Sequence, residues 1–328
     1  MSYLQAFLIS LVATVLVGRV LIPVLRRLKA GQSIKRDGPV WHMSKEGTPT
    51  MGGLMFIGGM LLGVLLTSVP QFRAGNWSAL AMLALSLIYG AIGFFDDYMK
   101  VRHHQNEGLK AGQKFLLQLA VAVAFVLLLR YLGFLSPNLY VPFFAVTIPL
   151  PEAVYVIFAA FVIVGTVNGV NLTDGVDGLV TGVTLPTALC FFGLAAAWGM
   201  ESQAVFAAAF TAGLIGFLIF NFHPAKVFMG DTGSLFLGGA VCALAFALDM
   251  PLVLVPLGFV YICETLSDIL QVSYFKLTHG KRIFKMAPIH HHFEKCGWSE
   301  IKVFAVFSGV SLILAVITFF CVRSRYGL

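Results

Sequence analysis

The stretch Asn221-Phe-His-Pro-Ala-Lys-Val-Phe-Met-Gly-Asp-Thr-Gly-Ser234 separates two long apolar runs of the 328-residue chain, as a loop at a membrane surface would. Asp231 stands between Gly230 and Gly233, where the lack of side chains lets backbone and ligand approach closely. Mg²⁺ takes carboxylate oxygens and completes its shell with water or substrate phosphates. The stretch therefore favours a metal at Asp231 beside an anionic substrate. It leaves open that Asp231 only caps a helix beginning near Ser234.

Apolar runs long enough to cross a bilayer recur along the chain. Hydrophobic residues make up 59% of the sequence and charged residues 11%, which excludes an ordinary soluble domain of this length. The runs are continuous rather than alternating, so they predict helices and not barrel strands. We expect an all-α, polytopic membrane protein of one domain, residues 1–328, with about ten transmembrane helices. The predicted spans are 3–25, 52–69, 78–95, 115–135, 153–167, 179–198, 203–220, 234–248, 252–274 and 301–322.

Lysine and arginine are concentrated on one side of these spans. The connections after spans one, three, five, seven and nine hold 16 of the 22 basic residues. Cytoplasmic connections carry such an excess, so we expect these five to face the cytoplasm and both termini to lie outside. The first run lacks a basic segment before it and a cleavage site after it, so we interpret it as a retained span. The net charge of +7 suits anionic lipids or phosphorylated substrates and does not require nucleic acid.

Two of the cytoplasmic connections offer groups for a phosphorylated ligand. The first ends in Lys45-Glu-Gly-Thr-Pro-Thr-Met-Gly-Gly53, where Lys45 and the threonine hydroxyls could contact a phosphate or a base, unless the charge is merely juxtamembrane. The second follows Gly93-Phe-Phe-Asp-Asp-Tyr98, whose adjacent carboxylates need a cation or a proton. Neighbours on a helix point about 100° apart. We therefore expect one of the two near a metal and the other near an acceptor, with a solvated helix end as the alternative.

The remaining cytoplasmic stretches differ in chemistry. Residues 168–178 contain no lysine or arginine but are dense in Asn, Asp and Gly, which predicts turns suited to a nucleobase or ribose. Span nine carries Glu264, Asp268 and Gln271 on one face, and such a polar stripe usually faces a bundle interior or a watery cavity. The histidines 290–292 that follow favour phosphate contact over metal ligation. Among the outer connections, we expect only a small hairpin over 136–152.

These groups together suit one kind of reaction. Carboxylates for Mg²⁺, cationic groups for phosphate and a nucleoside loop on one membrane face favour phosphoryl transfer from a cytosolic nucleotide sugar to a lipid phosphate. An ion-coupled transporter should instead carry its ionisable residues near the middle of the membrane. The sequence Asp231-Thr-Gly-Ser234 also occurs in aspartic proteases as a type of motif. Such a protease needs two carboxylates sharing a proton, and β structure that these apolar runs do not predict.

Several motifs resemble those of the bacterial phospho-N-acetylmuramoyl-pentapeptide transferase family, in the polyprenyl-phosphate N-acetylhexosamine-1-phosphate transferase superfamily. They are Asp96-Asp97, 168–178, 221–234 and Pro288-Ile-His-His-His-Phe293. The triple histidine and Gly47-Thr-Pro-Thr-Met-Gly52 point to the muramoyl-pentapeptide branch, with a sister transferase for a UDP-N-acetylhexosamine as the alternative.

The resemblance implies a multi-pass enzyme of the bacterial inner membrane, with an active-site cleft facing the cytoplasm. Such an enzyme uses Mg²⁺ to transfer phospho-MurNAc-pentapeptide from UDP-MurNAc-pentapeptide to undecaprenyl phosphate, which gives lipid I and UMP. Its partners would be these substrates and membrane lipid, and a homodimer is compatible with the sequence. Residue types leave open a covalent aspartyl intermediate, although we favour direct attack by the lipid phosphate.

Carried over by motif, four residues would be catalytic: Asp96, Asp97, Asp231 and His290, with Asp231 as the metal ligand. Uridine would be recognised by Lys45, Asn168, Gly175, Val176, Asp177 and Phe228. The other substrate-binding residues would be Thr50, Lys114, Asp174, Asn221, Gln271 and His291.

Overall fold

A computed structural model of the chain shows helices joined by short connections and one β-hairpin. It describes residues 2–28, 45, 47–103 and 108–326, with residue 103 described in its backbone only. The helices are α1 (Ser2–Arg27), α2 (Gly53–Thr67), α3 (Val69–Arg73), α4 (Ser78–His103), α5 (Ala111–Tyr131), α6 (Glu152–Thr173), α7 (Leu179–Ala197), α8 (Glu201–Asn221), α9 (Gly230–Ala247), α10 (Leu254–Leu257), α11 (Phe259–Leu277), α12 (Ile289–Lys295) and α13 (Glu300–Val322). The strands are β1 (Asn138–Val141) and β2 (Val146–Pro149), and they pair antiparallel, so the predicted hairpin is confirmed.

The prediction of an all-α membrane protein is confirmed. Two of the predicted spans, however, are not single helices long enough to cross a membrane. Eight of the described helices are long and apolar enough to cross a membrane. A ninth candidate consists of residues 251–257 and α11, which meet at an angle of 79°. Pro256 lacks a backbone donor and Gly258 is a poor helix former, which explains a break inside the predicted span 252–274. The predicted span 52–69 contains α2, whose 15 residues extend about 22 Å, less than the roughly 30 Å of a hydrocarbon core.

Two helices continue into stretches that the sequence predicted to be connections or turns. α4 continues through Asp97 to His103, and α6 continues to Thr173. Polar side chains near the end of α6 bond back to their own helix: Asn168 donates to the carbonyl of Val164 and Thr173 to that of Gly169, each over 2.8 Å. Such bonds satisfy the groups that would otherwise compete with the helix. The prediction of turns is therefore wrong for residues 168–173.

Helix α9 lies at the centre of the bundle. All its residues from Thr232 to Ala247 are buried, and α2, α4 and α6 pack around it. A helix that is apolar on every side belongs in such a position. Its first turn lies at the end of the bundle where α4 and α6 end and α5 begins, because Asp231 contacts Lys100, Lys114 and Asn171 there. The packing of α9 thus brings the polar ends of four helices together.

Candidate active site

Three aspartates converge at the start of α9. Asp96, Asp97 and Asp231 each offer a carboxylate oxygen, and these oxygens lie within 4.8 Å of one another. Asp96 and Asp97 are neighbours on a continuous helix, yet both reach this point because α4 packs closely along α9. The three carboxylates that the sequence assigned to the same reaction therefore lie together.

Two lysines neutralise part of this charge. The Lys100 Nζ atom lies 2.5 Å from an oxygen of Asp96 and 3.1 Å from one of Asp231. The Lys114 Nζ atom lies 2.6 Å from the same Asp231 oxygen. The other oxygen of Asp231 accepts a hydrogen bond of 2.9 Å from the Asn171 amide. Three carboxylates thus share two ammonium groups, and this excess of hard oxygen donors suits a divalent cation.

Asp97 is the residue that caps α9. Its carboxylate accepts hydrogen bonds from the backbone N–H of Asp231 (3.2 Å) and from the backbone N–H (2.8 Å) and hydroxyl (2.7 Å) of Thr232. A carboxylate at a helix N-terminus satisfies orphan donors and complements the helix dipole. The alternative that Asp231 only caps a helix near Ser234 is wrong, because α9 already begins at Gly230 and the Asp231 side chain faces the lysines.

The loop 174–177 connects this carboxylate cluster to the histidines. Burial, together with the negative charges of Asp231, Asp97 and Asp177, raises the pKa of Asp174 well above its ordinary value. The next residue, Gly175, packs directly against an imidazole, since a Cβ at this position would lie 2.2 Å from Nε2 of His290. The loop therefore places a carboxyl beside the cluster and a bare backbone segment beside His290.

The three consecutive histidines have three different environments. His290 is buried, and its Nδ1 lies 3.0 Å from an oxygen of Glu264. His291 is largely buried, with Nδ1 2.7 Å from Glu294. The Nδ1 atom of His292 accepts a hydrogen bond of 3.1 Å from the backbone N–H of Lys285 in the preceding loop. His290 is the histidine that packs against Gly175 of the loop 174–177.

A second charged network lies around Asp177. Lys45 Nζ is 2.7 Å from one oxygen of Asp177 and 2.6 Å from an oxygen of Glu300. His223 Nδ1 is 3.0 Å from the other oxygen of Asp177. Asp177, His223 and Glu300 have ligand atoms within 4.8 Å of one another. Because the Lys45 ammonium already bridges the two carboxylates, the geometry favours an ion-pair network over a second metal site.

The other residues that the sequence singled out make local contacts in the structure. Thr50 is buried next to Gly230, and Val176 is buried in its loop. Phe228 exchanges backbone hydrogen bonds with the segment 49–52, and Asn221 closes its own connection by donating to Val227. Gln271 bonds the backbone at residues 283–284. Asn168 donates to Gln118 on α5, so the structure does not bring it to Asp177.

Five residues contribute to these clusters although the motifs did not assign them. Two had a usable signal: Lys100 lies one helical turn after Asp96, and Asn171 lies one turn before Asp174. Glu264 belonged to the polar stripe of span nine, but the stripe did not indicate its partner. His223 lies in the quoted stretch 221–234, but its partner Glu300 had no signal, because 77 residues separate the two in the sequence.

Comparison with known proteins gives concordant matches. The family described as Glycosyl transferase family 4 matches residues 79–249, and the phospho-N-acetylmuramoyl-pentapeptide-transferase signature 1 matches residues 45–57. The chain is 45% identical to the phospho-N-acetylmuramoyl-pentapeptide-transferase of Clostridium acetobutylicum, with 96% of this chain and 98% of the relative covered. It is 49% identical to the protein of that name in Heliobacterium modesticaldum, over 94% of each chain. For Staphylococcus saprophyticus the identity is 46%, over 97% and 98%. The two matched stretches contain the aspartate cluster and Lys45.

Proposed function

The chain belongs to the phospho-N-acetylmuramoyl-pentapeptide-transferase family, and from this premise we propose how its residues divide the reaction between a nucleotide and a lipid. As a transferase of peptidoglycan synthesis it makes lipid I. We assign UDP-MurNAc-pentapeptide as the donor and undecaprenyl phosphate as the acceptor, with UMP as the product that leaves. The bundle end that carries the aspartates would face the cytoplasm of a bacterial inner membrane, since 16 of the 22 basic residues lie in connections on that side.

The aspartate cluster is the proposed Mg²⁺ site. All its donors are carboxylate oxygens, and the two lysines leave negative charge uncompensated, so the residues fit a hard divalent cation. Asp231 would be the direct ligand, because its two oxygens face polar groups from three other helices, namely Lys100 on α4, Lys114 on α5 and Asn171 on α6. When bound, Mg²⁺ neutralises charge on the donor diphosphate and makes its phosphorus easier to attack. This convergence of three carboxylates from two helices is the observation that carries the proposal.

The two lysines and Asp96 would receive the acceptor phosphate. Lys100 and Lys114 lie where α4 and α5 meet at the bundle end, so their positive charge would lower the repulsion between two phosphate groups. Asp96 is fixed by Lys100 and by the backbone N–H of Leu109 (2.8 Å), which holds its second oxygen. An oxygen of the lipid phosphate would attack the sugar-bound phosphorus directly. The bridging P–O bond then breaks and UMP leaves, with Asp96 orienting the attacking phosphate.

The network around Asp177 would hold the uridine end. Asp177 is buried and takes three partners, namely Lys45, His223 and the backbone N–H of Ala225 (3.0 Å). Its position is therefore fixed before a ligand arrives, which lowers the entropy cost of binding. Gly175, Val176 and Phe228 would supply backbone and apolar contacts beside it. His290 and His291 would contact the sugar side of the diphosphate.

One assay tests the reaction and its nearest alternative. Purified protein with polyprenyl phosphate should release UMP from UDP-MurNAc-pentapeptide in the presence of Mg²⁺. Removal of divalent cations with EDTA should stop release, and added Mg²⁺ should restore it. Omission of polyprenyl phosphate is the control for donor hydrolysis. Faster release from UDP-GlcNAc would favour the sister transferase, and release that persists in EDTA would contradict the metal site.

A first substitution probes the nucleotide end. Glu300→Gln removes one of the two carboxylates that hold the Lys45 ammonium, so Lys45 should lose its fixed position. We expect the KM for UDP-MurNAc-pentapeptide to rise about five- to tenfold, roughly 1 kcal/mol or slightly more, with kcat changed less than about threefold. Steady-state kinetics of UMP release measure both constants.

Glu152→Gln is the matched control for this substitution. Glu152 pairs with Arg130 at the opposite end of the bundle, and its side chain is 60% exposed. An equal rise in KM for both variants, or an unchanged KM for Glu300→Gln, would show that Glu300 does not act at the nucleotide end of the site.

A further inference from the structure

We infer that Glu264 is a positioning residue that fixes both the orientation and the tautomer of His290, so that Nε2 is the ring nitrogen presented to the substrate. The inference about orientation stands on the contacts of the two residues. Its consequence for turnover rests on the proposed function, in which His290 contacts the diphosphate.

The pair is built deep inside the protein. Glu264 on α11 is 0% exposed and His290 on α12 is 1% exposed. One oxygen of Glu264 lies 3.0 Å from Nδ1 of His290 and 3.4 Å from the backbone nitrogen of the same residue. Two contacts from one carboxylate oxygen tie the ring and the first turn of α12 to α11. They leave the imidazole little freedom to rotate.

The chemistry of the contact selects the tautomer. The same Glu264 oxygen accepts from the backbone N–H of His290, so Nδ1 of His290 must carry the proton that it donates to this accepting oxygen. The opposite nitrogen, Nε2, then keeps its lone pair in the neutral ring. A carboxylate behind the ring holds the imidazole of many metal-ligating and catalytic histidines in this way.

The nitrogen opposite Glu264 lies against the loop 174–177. Nε2 of His290 is buried and has no hydrogen-bond partner among the residues that the structure describes. It lies against Gly175, where the side chain is only a hydrogen, and Gly175 follows Asp174 beside the aspartate cluster. A buried polar atom without a partner costs free energy, so it needs a reason to be retained. A ligand atom that Nε2 contacts during the reaction supplies that reason.

A purely structural pair would behave differently from a positioning pair. If Glu264 only docked α12 onto α11, its replacement would lower stability and leave the chemistry of His290 unchanged. If it positions the ring, an isosteric replacement that keeps hydrogen bonding should change the protonation of Nδ1. A glutamine amide can either donate to or accept from the ring, so it no longer selects one tautomer.

The test combines kinetics with nitrogen NMR of the full-length protein in detergent. Glu264→Gln should lower kcat for UMP release about 10- to 100-fold, the effect typical of removing a group that orients a functional histidine, with KM changed less than about threefold. E264D keeps a carboxylate and should recover part of the lost kcat. Asp268→Asn is the matched control, since it removes a carboxylate one turn further along α11, and it should keep kcat within about twofold.

The tautomer gives a readout that does not depend on activity. In ¹⁵N-histidine-labelled protein, with His290→Gln identifying the resonance, wild-type His290 should show a protonated Nδ1, and Glu264→Gln should weaken that signal. An unprotonated Nδ1 in the wild type overturns the inference, as does a wild-type kcat in Glu264→Gln. A wild-type protein that releases no UMP from UDP-MurNAc-pentapeptide would instead contradict the proposed function and leave the NMR test standing.

Discussion

Asp231→Asn is expected to lower the rate of UMP release about a thousandfold or more while the protein stays folded in detergent. The change keeps the shape of the side chain but removes the charge that faces Lys100 at 3.1 Å and Lys114 at 2.6 Å. The amide nitrogen would face either the two ammonium groups or the donor amide of Asn171, depending on which way the side chain is turned, and the proposed Mg²⁺ would lose its direct ligand. Charge stabilisation in phosphoryl transfer is worth several kcal/mol, and a thousandfold loss corresponds to about 4 kcal/mol.

The measurement is UMP release at saturating substrates, together with thermal unfolding of both proteins. Asp249→Asn is the control, because Asp249 lies just beyond the other end of α9 and bonds Ser136 and Arg325 there. That variant should keep its turnover, even if losing these bonds lowers its unfolding temperature. Near-normal turnover of Asp231→Asn would show that Asp231 is not the metal ligand.

The sequence predicted the residues of the site better than it predicted their partners. Glycines around Asp231 and the adjacent carboxylates Asp96 and Asp97 indicated a shared cation, and the structure brings them together. Which aspartate caps α9 was not predictable, because the answer depends on how closely α4 packs against it. The partners Lys45 and Glu300 are 255 residues apart, a separation at which spacing carries no information.

Hydropathy likewise predicted where the helices are but not where they end. An apolar run stops where the chain leaves the hydrocarbon, whereas a helix stops where its backbone groups find other partners. α4 therefore extends past the predicted end at residue 95 and carries Asp96, Asp97 and Lys100 on helical turns. The aspartates thus come from rigid elements rather than loops, and this makes the geometry of the site dependent on helix packing.

Gly93→Ala tests that dependence and should disable the enzyme without touching a charged group. A Cβ on Gly93 would lie 2.0 Å from the backbone oxygen of Asp231, 2.4 Å from its carbonyl carbon and 2.7 Å from the backbone nitrogen of Thr232. Backbone atoms cannot rotate away, so α4 and α9 must separate. The hydrogen bonds from α9 to Asp97 would then lengthen, and the three carboxylates would spread.

We expect UMP release to fall about a hundredfold or more, since a misplacement of about 1 Å can cost that much. Overpacking should also lower the free energy of unfolding by about 1–3 kcal/mol, which thermal unfolding in detergent would detect. Gly165→Ala is the matched control: Gly165 lies on α6 with nothing within 4 Å of its would-be Cβ, so alanine there should leave activity unchanged and favour the helix slightly. If Gly93→Ala kept wild-type activity and stability, the contact between α4 and α9 would not set the geometry of the site, and the aspartates would have to be positioned by the lysines alone.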